Sequence, residues 1–142
     1  MKHILLATDG SRGADRATEV AANLAKALAA HLSILTVSGN LSVDEMRQLK
    51  RAEGNLAEAV EGLSKQILVH AAECAKRAGV SEPALHTAWG DAAEQIIEVA
   101  CREQVDAIVI GRRGRGRLAG LLLGSVSQKV VTLAPCTVII VP

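Results

Sequence analysis

Short apolar runs alternate with stretches of helical period along the whole chain, and this alternation is what most narrows the folds open to it. "HILLAT" (residues 3–8), "LSILTV" (32–37), "ALHTAW" (84–89), "DAIVIG" (106–111) and "CTVIIV" (136–141) are short, largely aliphatic and bounded by turn-forming residues, the signature of buried strands. Between them the period changes. Ala17, Val20, Ala21, Leu24 and Leu28 recur at three- and four-residue spacing. So do Leu56, Val60, Leu63, Ile67, Ala71, Cys74 and Ala78, closed by Gly79 where a left-handed cap is expected. Asp91 three residues before Glu94, with Ile97 and Ala100 behind them, predicts a capped helix over 92–103. Ser125 with Gln128 reads as a capping box opening a last helix that stops before Pro135. Residues 39–52 are polar without a period and are expected to form a mobile excursion after the second strand.

Strands this continuously apolar, alternating with helices, predict an α/β fold: an open five-stranded parallel sheet with helices on both faces. The 142 residues fit one domain, 1–142, with no linker and no internal repeat. Trp89 is the sole aromatic residue, so the core is expected to be aliphatic. Cys74, Cys101 and Cys136 are odd in number and widely spaced, which suggests neither a disulfide framework nor a zinc knuckle. They read as buried small hydrophobes in a reducing compartment. "MKHILLATDG" has the apolar run of a strand rather than a signal peptide, and no stretch approaches a membrane span, so a soluble cytoplasmic protein is expected.

Ligands of open α/β sheets bind at the carboxyl ends of the strands, where the strand order reverses. Two turns stand at such ends, "TDGSRG" after the first strand and "GRRGRG" after the fourth. The second opens the basic part of the chain: Arg112, Arg113, Arg115, Arg117 and Lys129 follow Asp106 with no acid among them. Neither G-x-x-x-x-G-K-[ST] nor G-x-G-x-x-G is present. The spacing that remains is Gly111, Gly114, then nine residues, then Gly124 and Ser125. It places two glycines just after a strand and a third at the mouth of a helix. Glycine lets the backbone approach phosphate oxygens, and a helix N-terminus offers free N–H groups and a positive dipole end. Simpler roles exist for each residue alone: turn glycines, an Asx turn or cap for Asp9, capping alone for Ser125 and Gln128.

"GRRGRGRLAGLLLGSVSQKV" followed by "APCTVIIVP" resembles the closing segment of the universal stress protein family and fits its nucleotide motif G-x2-G-x9-G-[ST] at Gly111, Gly114, Gly124 and Ser125. "ILLATDGS" is similar to the family's first strand and acidic turn, and "WGDAAEQIIEVACREQVDAIVIG" to its third helix and fourth strand. The resemblance implies a Rossmann-like sheet of order 3-2-1-4-5, akin to the adenine nucleotide alpha hydrolases. For members with this motif it implies ATP as ligand, with or without Mg or Mn. Asp9, with Ala7 and Thr8 beside it, would then meet the ribose or adenosine side, and Val37 would meet adenine through its backbone. Ile110, Gly111, Gly114, Gly124, Ser125, Val126 and Ser127 would line the ribose and phosphates, with Arg112 and Arg113 as further phosphate contacts. Ala7 stands where the family often has proline. The last strand would pair across a two-fold axis to make a homodimer.

The expected function is a small nucleotide-dependent regulatory module. Binding of AMP or cyclic AMP instead of ATP is the alternative, as is slow hydrolysis or phosphoryl transfer at the same site. No catalytic residue is named: the P-loop lysine is missing, and His3, His31, His70 and His86 read as structural or surface residues. A nucleic-acid patch is disfavoured, because single-strand binding uses aromatic platforms and only Trp89 is available.

Overall fold

The computed structural model describes residues 1–39, 44, 47–48, 51, 55–112 and 123–142. Over them the expected alternation is met. The elements are β1 (His3–Ala7), α1 (Arg12–Leu28), β2 (His31–Ser38), α2 (Leu56–Arg77), β3 (Ala84–Trp89), α3 (Ala92–Arg102), β4 (Ala107–Gly111), α4 (Ser125–Leu133) and β5 (Thr137–Val141). Most of the expected excursion over 39–52 lies outside the described residues. The strands form one parallel sheet in the order β3-β2-β1-β4-β5.

The most apolar runs take the centre. All of β4 is buried, as are Ile4, Leu5, Leu6 and Ala7 of β1, because helices cover both faces there. α1 and α2 pack on one face, over Ile4, Leu6, Leu32, Ile34 and Val109. α3 and α4 pack on the other, over Leu5, Leu35, Ile108 and Ile110. Right-handed crossovers demand this division, since the chain moves outward from β1 to β3 and then crosses back to β4 and β5. Each large aliphatic side chain so enclosed contributes about 1.5–3 kcal/mol. No aromatic residue joins either cluster, and Trp89 is 65% exposed on the edge strand β3.

Which helical residues face the sheet differs from the sequence expectation. In α1 the buried residues are Ala14, Ala17, Thr18, Ala21, Ala22 and Ala25, while Val20 and Leu28 are 37% and 46% exposed. Small side chains let the helix backbone lie close to the sheet. In α2 the buried face runs through Ala59, Val60, Ser64, Leu68, Ala71, Ala72 and Ala75, so Leu63, Ile67 and Cys74 lie at its border. In α3, Ala93, Ile96, Val99 and Ala100 are buried and Ile97 is only half-buried. The cysteines are not core residues either: Cys101 is exposed and the other two are partly so. Burial pushes the Cys136 thiol up from its ordinary value.

The helix ends explain themselves locally. Gly79 takes φ +104°, Val80 N donates to Ala75 O at 2.9 Å and Gly79 N to Lys76 O at 3.0 Å, which is the Schellman closure. Ala29 and Gln104, both at φ +51°, close α1 and α3 in the same manner without glycine. Asp91 caps α3 by accepting from Glu94 N at 3.0 Å, as expected. Ser125 does not cap α4: it is the first helical residue, Gly124 is the N-cap, and among the described residues no side chain caps the helix start.

At the amino end of the central strand pair, Asp106 accepts from Lys2 N at 2.7 Å and His3 N at 2.9 Å. Those two donors hold its carboxyl below the ordinary value.

Candidate functional site

The chain leaves β1 toward one face of the sheet, whereas the α4 that follows β4 packs on the other, so a crevice opens between their carboxyl ends. Register brings the expected residues to this point. Ala7 is the Cα partner of Ile110, both almost fully buried, and Thr8 N continues the ladder to Leu35 O at 2.9 Å. Val37 lies two residues further along β2, opposite Ala88 and packed against the α3 and α4 side of the core.

The turn after β1 is internally bonded. Asp9 Oδ1 accepts from Ser11 N at 2.9 Å, Thr8 Oγ1 from Gly10 N at 3.2 Å, and Ser11 Oγ from Ala14 N at 3.2 Å. Asp9 thus forms the Asx turn left open by the sequence, and Ser11 is the N-cap of α1. Gly10 sits at φ +79°, and a Cβ there would come within 3.0 Å of Ile67 on α2. A side chain at this position meets both strained backbone and a neighbouring helix.

The turn after β4 is built differently. Arg112 N donates to Val141 O at 2.7 Å, extending the pairing with β5 by one residue. Gly124 N donates to Arg112 O at 2.8 Å, so the two ends of the intervening segment are joined. Buried Ser127 reinforces the clasp, its hydroxyl directed at Gly111 O (2.8 Å) and Arg112 O (3.1 Å). Gly111 and Gly124, far apart in sequence, are held together by these bonds. Gly124 has φ −70° and ψ 166°, a conformation open to any residue, so the backbone angle there does not require glycine. Ser125 is exposed at the start of α4, and Val126 packs inward with the core. Gly114 and Arg113 lie outside the described residues.

Two hydrogen-bonding features distinguish this end of the sheet. The N–H groups opening α4 have no side-chain cap, and Arg112 Nε is shielded from solvent with no hydrogen-bond partner among the described residues. Lys129 does not serve the crevice, because its Nζ bridges Asp91 (3.3 Å) and Glu94 (3.7 Å), tying α4 to α3. The Glu94 N–H, more than Lys129, holds the Asp91 carboxyl below its ordinary value. His3 and His31 belong to the opposite end of the strands, their rings 4.9 Å apart, with His3 Nε2 at 2.7 Å from Ser33 Oγ. The sequence pattern missed the cap at Ser11, although Ser before an alanine-rich helix is a recognisable start signal, and it named Arg112 without orienting it.

A family model described as the universal stress protein family matches residues 1–142. The chain belongs to that family. A universal stress protein of Thermus aquaticus, from the region 3′ of a QAH/OAS sulfhydrylase, is 39% identical over 99% of this chain and 98% of its own length. Universal stress protein UspA from Lactobacillus plantarum superposes with a TM-score of 0.83 over 99% of this chain and 97% of its own, at 24% identity, which shows the shared Rossmann-like fold. A universal stress protein solved in complex with cAMP superposes with a TM-score of 0.74 at 28% identity, covering 99% of this chain and 95% of its own. Among the described residues of this universal stress protein, no helix is long and apolar enough to cross a membrane.

Proposed function

We propose that this universal stress protein is a cytoplasmic, nucleotide-dependent regulatory module that holds ATP, with Mg or Mn on its phosphates, between the carboxyl ends of β1 and β4. The carrying observation is the clasp after β4. It joins the uncapped start of α4 to the backbone of Arg112, whose Nε is shielded and without a partner among the described residues, an arrangement suited to phosphate oxygens. In this reading Gly111, Gly114 and Gly124 admit the phosphates, Ser125 donates its hydroxyl, and Val126 and Ser127 contribute backbone. Ser127 also fixes the clasp through its side chain. Arg112 and Arg113 add charge. Asp9 with Ala7, Thr8 and Ile110 faces the ribose, and the Val37 backbone meets the base.

Mass spectrometry of the protein as purified, followed by calorimetry with ATP, ADP, AMP and cyclic AMP, tests the proposal. Saturable binding with ATP tightest is the expected result. No binding of any of them by a folded protein overturns it. A second reading, in which AMP or cyclic AMP is the physiological ligand, is favoured by the relative solved with cAMP. The same calorimetric ranking separates the two.

We further propose that β5 pairs with its counterpart in a second copy. It is an edge strand whose Val138, Ile139 and Ile140 are only half-buried in the single chain. A row of unpaired backbone groups on such a strand is a template for another strand. Ile139→Asp should halve the mass in solution while the fold persists; an unchanged mass counts against the interface.

A further inference from the structure

We propose a transition-metal site, suited to Zn2+ or Co2+, formed by Asp15, His70 and Cys74 at the seam between α1 and α2. His70 and Cys74 are four residues apart on α2 and so share one face of the helix. Asp15, in the first turn of α1, faces them. One ligand atom from each residue lies within 4.8 Å of the other two. Asp15 Oδ1 is 3.1 Å from His70 Nε2, and Nε2 is 3.8 Å from Cys74 Sγ. With Zn–N and Zn–O near 2.0–2.2 Å and Zn–S near 2.3 Å, a tetrahedral centre needs edges of about 3.4 Å between nitrogen and oxygen and about 3.6 Å between nitrogen and sulfur. The two separations made by His70 Nε2 need adjust by only a few tenths of an ångström, and Asp15 and Cys74, within 4.8 Å of each other, close on the ion by side-chain rotation.

The donor set selects the kind of ion. A thiolate and an imidazole beside one carboxylate suit Zn2+ or Co2+, whereas Mg2+ and Ca2+ take oxygen donors. On binding, the Cys74 thiol proton passes to solvent, His70 binds as neutral imidazole through Nε2, and Asp15 contributes one oxygen. Two anionic ligands then balance the dication. Arg77 NH2 donates to Cys74 Sγ at 3.2 Å, an outer hydrogen bond of the sort that orients a metal-bound sulfur. Three protein ligands leave a fourth position for water, and the partial exposure of the cluster gives an ion a route in. An Asp15–His70 ion pair alone would not require a sulfur in reach of the same nitrogen.

This site shares no residue with the proposed nucleotide crevice, so it is testable without nucleotide. The reduced, full-length protein is titrated with Co2+. The expected result is one equivalent bound, with a thiolate-to-cobalt charge-transfer band in the near ultraviolet and visible bands of tetrahedral intensity, both lost on adding Zn2+. Cys74→Ser should abolish the charge-transfer band and His70→Ala should weaken binding at least 10-fold, while Cys101→Ser and Cys136→Ser leave the band in place. Circular dichroism confirms that each variant is folded. A band that survives Cys74→Ser, or reduced wild-type protein that binds no cobalt, overturns the proposal.

Discussion

The turns that follow β1 and β4 stand side by side at the middle of the sheet, yet they treat their polar groups in opposite ways. After β1 the residues Thr8, Asp9 and Ser11 bond the N–H groups of the same turn and of the helix it opens. After β4 the helix begins at a glycine with no side-chain cap, and Arg112 Nε is shielded and unpartnered among the described residues. A capped helix start has spent its donors on its own side chains, whereas an uncapped one keeps them for something else. The difference assigns the two turns separate tasks in the proposed site. Under that proposal the first would serve as a shaped wall and the second as the anion receptor.

The largest effect should come from closing the receptor. Gly124→Val is compatible with the extended backbone at that position, so the sheet should survive while the side chain blocks phosphate approach. Losing two charge-assisted bonds of about 1.5–3 kcal/mol each corresponds to a drop of at least ~100-fold in nucleotide affinity, read by calorimetry. If the variant unfolds instead, Gly124 is structural and the contrast between the turns fails. Next comes Arg112→Ala, which removes one such bond and should weaken nucleotide binding about 10-fold with little change in melting temperature. Unaltered affinity would make Arg112 a bystander.

The first turn should respond in the other direction. Ser11→Ala deletes the cap of α1 and should lower stability in urea by about 1 kcal/mol, leaving nucleotide affinity within about twofold. A large affinity loss there would erase the division of labour.

The smallest effect concerns the opposite end of the same strand pair, where Asp106 closes the amino end of β1. Its carboxyl is held below the ordinary value of 3.8, so its contribution is fully present above that pH and is lost as the pH falls through the lowered folded value. Asp106→Asn should therefore reduce the acid sensitivity of the urea midpoint below pH 4. Identical acid limbs in the two proteins would remove the carboxylate from the account.

Much of this contrast can be read in the sequence, but unevenly. The strands are legible because a run such as "AIVIG", buried on both faces, has no polar register to confuse with anything else. The glycine spacing is legible because two strand-end glycines and one at a helix mouth are hard to place otherwise. The buried helical faces are not. A reading that follows bulk puts Val20 and Leu28 inside, whereas α1 packs through alanines because only small side chains allow its approach to the sheet. The start of α4 is displaced by one residue for a similar reason: Ser125 with Gln128 looks like a capping box, and a serine at the first helical position gives the same letters. Ala29 and Gln104 adopt left-handed caps that no glycine announces. The seam of Asp15, His70 and Cys74 joins residues from two helices, and no local pattern announces their meeting.

The bond from Gly124 N to Arg112 O carries a consequence for how such a protein can vary. It ties off the segment between those residues at its neck, with Ser127 as a second knot. A segment pinned in this way can change length at a cost that grows only logarithmically, about 0.6 kcal/mol for each doubling. The positions of β4 and α4 are then set by the bonds that join Gly111 and Arg112 to Gly124 and Ser127, whatever the chain between them does.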